Sequence, residues 1–486
     1  MSHSRPVGFL ERLAYSMGGV ANNYMNNLLP LLALPIFSVG LGVDAWKVGL
    51  ALAVPRIWDA VTDPLIGHLS DSAKTRWGRR RPFLFVGSIA VMLTYGLLWV
   101  ATPDWSPDAI FWWFLGLSML YYTATTVFSI PYIAIGYEIA TDSKERAKLM
   151  TFRSVVSSIF GLGFPWVYAM CFWEWGALLG PGGLFTRLSA LVVSPDGHQL
   201  APPGYQIVGV LLAALMALAG LCTLYCKENP RAVPTQRKEF GRSFLLAFRN
   251  KAFVFLCGGL IFSMLGIFLV MPLATYVNIY HLFEGNQKAA ASMLAKVGTV
   301  QTACGVPMVM ICGYLVARLG AARMMKIFLG LTALSFGIKY WTYTPDFPWL
   351  QVIPLLIWQF SWSGTMLAFN VMLGDVTDYD DYMTGERREG MYGAINQFLT
   401  KLVIALSTAL SGVLLSASGI VAGAAEQTER AIWLMRVEFS FVPFVIVLLA
   451  CISFFFYPLT DAESIRIREE LARRKGLMPR AHERDG

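Results

Sequence analysis

Two acidic residues stand one helical turn apart in a segment that is otherwise apolar. Asp59 and Asp63 belong to the stretch PRIWDAVTDP, residues 55–64. Residues four apart share one face of a helix, so the two carboxylates come close together. Close carboxylates repel each other, and a bound proton or metal cation relieves that repulsion. The segment therefore predicts a cation site, with the Thr62 hydroxyl as a further oxygen ligand for a hard ion such as Na⁺.

Two basic residues also lie in apolar segments, so the acids could form structural ion pairs instead of a cation site. Arg56, three residues before Asp59, would form a structural ion pair with that carboxylate but would not explain Asp63. Lys401 follows NQFLT in a distant apolar segment and either pairs with these acids or extends toward a helix end. A charge at a helix centre costs about 2.5–3.5 kcal/mol on insertion scales, so each is a candidate functional residue.

The segments that hold these charges must cross a membrane. The 486 residues are 56% hydrophobic and only 14% charged, whereas soluble domains carry about 25% charged residues. This composition excludes a soluble enzyme, a disordered chain and a disulfide scaffold. Long apolar runs, rather than alternating residues, argue against an outer-membrane barrel. The seven cysteines form no CxxC pair and are interpreted as small core residues.

Twelve apolar runs are long enough to span a bilayer, which needs about 20 residues. They lie near 12–38, 47–70, 83–101, 110–139, 152–176, 206–226, 252–281, 293–317, 323–343, 349–374, 390–417 and 432–458. We therefore predict an all-α polytopic membrane protein with twelve transmembrane helices in two six-helix bundles.

A basic, glycine-containing loop recurs at the same place in each half of the predicted helix order. It reads GHLSDSAKTRWGRRRPF after the second helix and GYLVARLGAARMMK after the eighth. The recurrence favours a duplicated unit, although a preference for basic residues on one membrane side would also produce it. The predicted organisation is an N-terminal bundle (1–226), a cytoplasmic middle loop (227–251), a C-terminal bundle (252–458) and a cytoplasmic tail (459–486).

Most of the 39 Lys and Arg residues fall in one set of loops and in the two termini. The positive-inside rule then places both termini in the cytoplasm, and we expect the cell (inner) membrane as the location. This asymmetry accounts for the net charge of +8, so no nucleic-acid partner is expected.

Three segments together resemble one transporter family. RIWDAVTDPLIGHLSDSAKTRWGRRRPF, IPYIAIGYEIATDSKERAKL and GDVTDYDDYMTGERREGMYGAINQFLTK are similar, in this order, to motifs of the glycoside–pentoside–hexuronide:cation symporters. These are the melibiose-permease group of the major facilitator superfamily. The resemblance implies a transporter, not an enzyme, that alternates between two access states.

The resemblance also implies roles for individual residues. Asp59 and Asp63 match the two acids that bind the coupling cation, expected to be Na⁺ or H⁺, or else Li⁺, with no other cofactor. Thr126 matches a hydroxyl ligand of that cation. Lys401 matches the lysine that links the cation and sugar sites. Thr62 stands where melibiose permease has an asparagine ligand.

The implied substrate site differs from the melibiose type, because Asn23 and Ser129 replace two sugar-binding acids. Asn22 replaces a lysine, and the amides on this helix could alternatively only join helices together. We predict that the substrate contacts six residues: Asn22, Asn23, Ser129, Arg153, Gln397 and Lys401.

Two clusters of loop charges occupy equivalent positions in the two halves. In the family such pairs close the cytoplasmic gate, and Arg146 with Asp375 and Asp378 match those positions. Arg387 is expected to join them. The alternative is ordinary loop charge, since exposed pairs contribute about 0–1 kcal/mol.

The prediction from sequence is a monomeric, cation-coupled symporter of a sugar- or glycoside-like solute in the lipid bilayer. Two alternatives keep the fold. One is a transporter of lysolipids or other amphipathic solutes, which the loss of both sugar acids would suit. The other is a receptor-like homologue without transport, which leaves Asp59 and Asp63 unexplained.

Overall fold

The chain was analysed as a computed structural model that describes residues 7–73, 75–140, 143–173, 175, 201–228, 247–248, 250–385 and 388–474. In the first half the helices are α1 (Phe9–Ala33, continued by a π-helical segment, Leu34–Gly40), α2 (Ala45–Ser72), α3 (Arg81–Leu98), α4 (Pro107–Ile139), α5 (Ser143–Gly161) and α6 (Tyr205–Leu221). Short helical turns follow α5 at Phe164–Trp166 and Val167–Met170, and another follows α6 at Cys222–Tyr225.

In the second half the helices are α7 (Lys251–Tyr276, continued by a π-helical segment, Val277–Leu282), α8 (Gln287–Leu319), α9 (Ala321–Thr342), α10 (Val352–Thr384, preceded by a 3-10 turn, Pro348–Gln351), α11 (Glu389–Ala417), α12 (Glu429–Phe455) and α13 (Asp461–Arg474). The described residues contain no strand. The predicted all-α class is therefore confirmed.

Nine helical segments of the described chain are long and apolar enough to cross a membrane. The long helices outside this set are α1, α2 and α5. α1 carries the asparagine cluster, α2 carries the two acids, and α5 begins with the charged stretch SKERAK before Arg153. Polar residues therefore lower the mean hydropathy of these three helices, whereas the binding residues predicted on α4 and α11 leave those two helices apolar enough to cross.

Two predicted boundaries are wrong by about three helical turns. The run predicted at 152–176 belongs to a helix that begins at Ser143, and the run predicted at 349–374 belongs to one that ends at Thr384. Arg146, Asp375 and Asp378 therefore lie on helices and not in loops. Apolar residues mark only the part that is apolar enough for the bilayer, whereas the helical hydrogen bonds continue into charged sequence.

Contacts divide the chain into two compact units. Unit 1 contains residues 1–235, 271–302 and 405–435, and unit 2 contains 236–270, 303–404 and 436–486. Unit 1 has an aromatic core in which the Tyr95 and Trp99 rings meet edge to face at 5.5 Å. In unit 2 the Phe253 and Tyr392 rings also meet edge to face, with 4.7 Å between their centres. The predicted bundle boundaries stay a prediction.

The first of the two recurrent basic loops, in unit 1, combines a glycine of positive φ with an acidic residue that caps the next helix. Gly78 has a φ of +109°, and a Cβ there would lie 2.7 Å from the Glu228 carboxylate. Glu228 accepts hydrogen bonds from the backbone N–H groups of Arg79, Arg80 and Arg81, at 2.7, 2.9 and 2.9 Å. The carboxylate thereby caps the start of α3.

Unit 2 repeats this arrangement. Gly320 has a φ of +89°, and a Cβ there would lie 2.3 Å from the Asp461 carboxylate. Asp461 accepts from the backbone N–H groups of Ala322 at 3.0 Å and Arg323 at 3.3 Å, at the start of α9. The shared geometry supports a duplicated unit, because a preference for basic loops would not place an acidic cap in both halves.

Candidate functional site

Three predicted cation ligands come together in unit 1. The Thr126 hydroxyl of α4 lies 3.4 Å from Asp59 Oδ1 and 3.2 Å from Asp63 Oδ1 of α2. Asp59 is 3% exposed and Thr126 is 4% exposed. The four-residue spacing on α2 brings both carboxylates to the face that packs on α4. Two carboxylates and a hydroxyl are oxygen donors that suit a hard cation or a shared proton.

Arg56 lies beside this site, but its strongest hydrogen bonds go elsewhere. Its guanidinium is 3.7 Å from Asp59 Oδ2, so the ion pair considered from sequence exists at long range. It also donates to the Asn26 carbonyl at 2.8 Å and to the Asn26 side chain at 3.2 Å. The Tyr122 ring lies 4.2 Å from the guanidinium carbon. The Asn26 and Tyr122 contacts are absent from the sequence-based prediction, although Asn26 stands in the amide cluster.

Thr62 is buried, and its hydroxyl lies 3.4 Å from the Trp58 carbonyl of the same helix. Its role as a cation ligand stays a prediction. No group of three or more His, Cys, Asp or Glu side chains able to hold a metal occurs among the described residues. The candidate site therefore rests on two acids and hydroxyl oxygens rather than on a cluster typical of transition metals.

Four predicted substrate residues lie in unit 1, and two of them bond directly. The Ser129 hydroxyl donates to Asn22 Oδ1 at 2.6 Å, joining α4 to α1. Asn23 is exposed and accepts hydrogen bonds from Asn27 one turn away, at 2.8 and 3.0 Å. Arg153 of α5 packs its side chain against Gly19 of α1, where a Cβ would be 2.9 Å from Arg153 Cγ.

The two remaining substrate residues, Gln397 and Lys401, lie on α11 in unit 2. Gln397 is exposed and Lys401 is half-buried. They are four residues apart and share one helix face. Their part in substrate binding stays a prediction.

The predicted gate residues have partners within their own units. Arg146 donates to the Ala140 carbonyl at 3.3 Å, and its guanidinium lies 5.3 Å from the Tyr137 ring centre. In unit 2 Arg468 of α13 pairs with Asp375 and lies 3.9 Å from Asp378 Oδ2. The sequence-based prediction did not include Arg468, because this residue lies in the predicted cytoplasmic tail, where no site residue was expected. Arg387 lies outside the described residues.

Comparisons with known proteins identify the family of the chain. Residues 14–461 match the model of the family described as "MFS/sugar transport protein". The chain is 26% identical over 468 residues to a "Glucuronide carrier protein homolog" of Escherichia coli K12, covering 95% of each chain. It is 25% identical over 473 residues to an "Isoprimeverose transporter" of Lactiplantibacillus pentosus, covering 95% of this chain and 91% of the relative.

Solved structures show the same fold at low sequence identity. A D-xylose-proton symporter superposes with a TM-score of 0.61 at 15% identity, covering 94% of this chain and 99% of that one. Membrane transport, not catalysis, is what the family and these relatives have in common. The chain belongs to the MFS/sugar transport protein family and, within the major facilitator superfamily, to the glycoside–pentoside–hexuronide:cation symporters.

Proposed function

We propose that this protein couples the entry of Na⁺ or H⁺ to the uptake of a sugar- or glycoside-like solute by alternating access. The observation that carries the proposal is the meeting of Asp59 and Asp63 of α2 with Thr126 of α4. Asp59 is buried and Asp63 is half-buried, and two neighbouring carboxylates repel each other unless a positive charge or a proton offsets them. A cation from solution supplies that charge, and its binding then favours one access state over the other.

The substrate part of the proposal rests on polar side chains and on the relatives. Asn22, Asn23, Ser129, Arg153, Gln397 and Lys401 offer amide, hydroxyl and cationic groups that suit sugar hydroxyls. Two similar proteins carry the names of a glucuronide carrier homolog and an isoprimeverose transporter. In this proposal Lys401 competes with the cation for the acids. The protein acts as a monomer in the cell inner membrane, with both termini in the cytoplasm.

Uptake into membrane vesicles tests the proposal directly. Vesicles with an inward gradient of Na⁺, Li⁺ or H⁺ are offered a panel of radiolabelled sugars, glycosides and one lysolipid. We expect concentrative uptake of a sugar-type solute with one of these gradients. Uptake of the lysolipid alone would favour the amphipathic cargo, and no uptake of any solute would favour a receptor-like homologue.

Single substitutions then test the site. Asp59→Asn and Asp63→Asn should each abolish ion-driven accumulation, because each removes a charge that holds the cation. Asp108→Asn is the matched control, since this acid is exposed at the start of α4 and pairs with Lys47. Accumulation at the unsubstituted level in both site variants would remove the cation site from this proposal.

A further inference from the structure

The first turns of α9 carry two basic side chains without an acidic partner. Arg323 and Lys326 are both exposed, and residues three apart lie on one face of a helix. Among the described residues, no carboxylate lies within ion-pair distance of either side chain. The Lys326 ammonium instead lies 5.6 Å from the centre of the Phe455 ring, at the end of α12. An aromatic ring attracts a cation but does not neutralise its charge.

The acids of the neighbouring helix α13 do not pair with these two side chains. Asp461 contacts the start of α9, but its two carboxylate oxygens accept hydrogen bonds from backbone N–H groups there. Glu463 accepts hydrogen bonds at the start of α13, and Glu470 pairs with arginines of α13 itself. The remaining acid, Glu469, is exposed and forms no described ion pair. The two cations of α9 therefore stay available to an anion from outside the chain.

An exposed apolar stripe continues from these cations along α9. Ile327, Leu334 and Trp341 follow Arg323 at intervals of four, seven and seven residues, which keeps them near one face of the helix. Their side chains are 45%, 49% and 66% exposed. Since α9 is apolar enough to cross a membrane, we assign this stripe to the acyl chains of the bilayer. An anion that reaches the cations beside it is then most simply a lipid headgroup.

Gly330 makes room for an acyl chain within the stripe. It is exposed, and a Cβ added to it would have no atom within 4 Å. It lies four residues after Lys326, which is about 6 Å along the helix axis. From Ile327 to Trp341 the stripe covers about 21 Å, more than the roughly 15 Å of hydrocarbon in one leaflet. One acyl chain can therefore follow the stripe while its headgroup stays beside the cations.

We infer that this face of α9 binds an anionic phospholipid, whose headgroup contacts Arg323 and Lys326 and whose acyl chain lies over Gly330. Arginine and lysine donate charge-assisted hydrogen bonds to phosphate oxygens. A zwitterionic lipid has the same phosphate but carries a positive group next to it, so the site prefers the anionic headgroup. The inference is independent of the proposed function, because it concerns the lipid-facing side of the chain and not its solute.

Native mass spectrometry of the purified full chain in detergent tests this site. Phosphatidylglycerol and phosphatidylcholine with identical acyl chains are offered together in equal amounts. One basic residue near the headgroups contributes roughly fivefold to the binding of an anionic lipid. With two such residues we expect at least about a tenfold preference for phosphatidylglycerol. The double variant Arg323→Gln, Lys326→Gln should lower this preference at least about fivefold.

The matched control removes the same two charges from other helices. Lys148 and Arg473 are exposed, and they pair with Glu145 and Glu470. The double variant Lys148→Gln, Arg473→Gln should therefore keep the preference. A preference that falls equally in both double variants would mean general attraction by net charge and would overturn the site. Equal binding of the two lipids by the unsubstituted protein, or a preference unchanged in the α9 variant, would overturn it as well.

Gly330→Leu tests the place of the acyl chain separately. The leucine side chain would fill the groove, so the amount of phosphatidylglycerol bound should fall several-fold. Gly116→Leu on α4 is the control, because this glycine is also exposed and an added Cβ there has no atom within 4 Å. Equal binding by the two glycine variants would contradict the placement of the chain over Gly330.

Discussion

Thr126 is the residue at which the two acids of the candidate cation site meet. Its hydroxyl is within 3.4 Å of a carboxylate oxygen of both Asp59 and Asp63. Replacing it by alanine removes one oxygen donor while both charges stay. A hydrogen bond to a charged group contributes about 1.5–3 kcal/mol, which corresponds to a loss of roughly ten- to a hundredfold in cation affinity.

The measurement is the cation concentration that gives half-maximal uptake in vesicles. We expect Thr126→Ala to raise it at least about tenfold and Thr126→Ser to leave it nearly unchanged, because serine retains the hydroxyl. Thr94→Ala is the control, since the hydrogen bonds described for that hydroxyl go to carbonyls of its own helix, α3. A half-saturation value unchanged in Thr126→Ala would exclude the hydroxyl as a ligand.

The acidic pair of the candidate site could be predicted from the spacing of residues along one helix. Asp59 and Asp63 share a face because a helix turns every 3.6 residues, and no tertiary information is needed to see it. The contacts that hold Arg56, from Asn26 and Tyr122, join α2 to α1 and α4. These contacts depend on how the helices pack against one another. The residue pattern of a single helix gives no information about that packing.

The ends of helices were less predictable than their centres. Apolarity located the membrane-embedded parts of α5 and α10, but both helices continue into charged sequence. The helix in the predicted cytoplasmic tail was not foreseen for a related reason. Residues Asp461–Arg474 are too polar to resemble a span, yet they form α13, with two acids in its first turn and two arginines in its last. Such charges favour a helix through its dipole.

Arg468 is the residue through which α13 is tied to α10. It pairs with Asp375, which is 8% exposed, and approaches Asp378, so two predicted gate acids are bound by the tail. Removing Arg468 leaves a buried carboxylate without this partner, at a cost of about 1–3 kcal/mol. We expect Arg468→Ala to loosen α13 from α10.

Hydrogen exchange of the peptide that covers residues 461–474 measures this loosening. The exchange rate should rise at least about fivefold in Arg468→Ala, as an opening free energy lower by about 1 kcal/mol implies. Arg473→Ala is the matched control, because its only described ion pair is with Glu470 of the same helix. Equal exchange in the two variants would mean that apolar packing alone holds the tail.

At the scale of the whole molecule, the bilayer makes the class predictable. Backbone groups in lipid must be satisfied within the protein, so long apolar runs leave helices as the solution. The two compact units were not predictable in this way, because their limits fall inside α7, α8, α11 and α12. The neighbours that each part of a helix contacts depend on the size and shape of its side chains. The pattern of apolar residues shows neither property.

Alternating access requires contacts that close in one state and open in another, and a backbone contact in unit 1 is suited to this. A Cβ on Gly412 of α11 would lie 2.4 Å from the Ala45 carbonyl oxygen of α2. Likewise, a Cβ on Gly49 would lie 2.9 Å from the Thr408 carbonyl oxygen. Only residues without a side chain permit this approach, since both distances are shorter than van der Waals contact.

Gly412→Val should therefore force α2 and α11 apart and favour the state in which this contact is open. Val48 of α2 is fully buried, so a Val48→Cys variant without the native cysteines reports the change. We expect Gly412→Val to increase its labelling by a membrane-impermeant maleimide several-fold and to slow solute uptake. Gly393→Val is the control on the same helix, where an added Cβ has no atom within 4 Å. If labelling and uptake in Gly412→Val match those in Gly393→Val, the α2–α11 contact does not take part in the transport cycle.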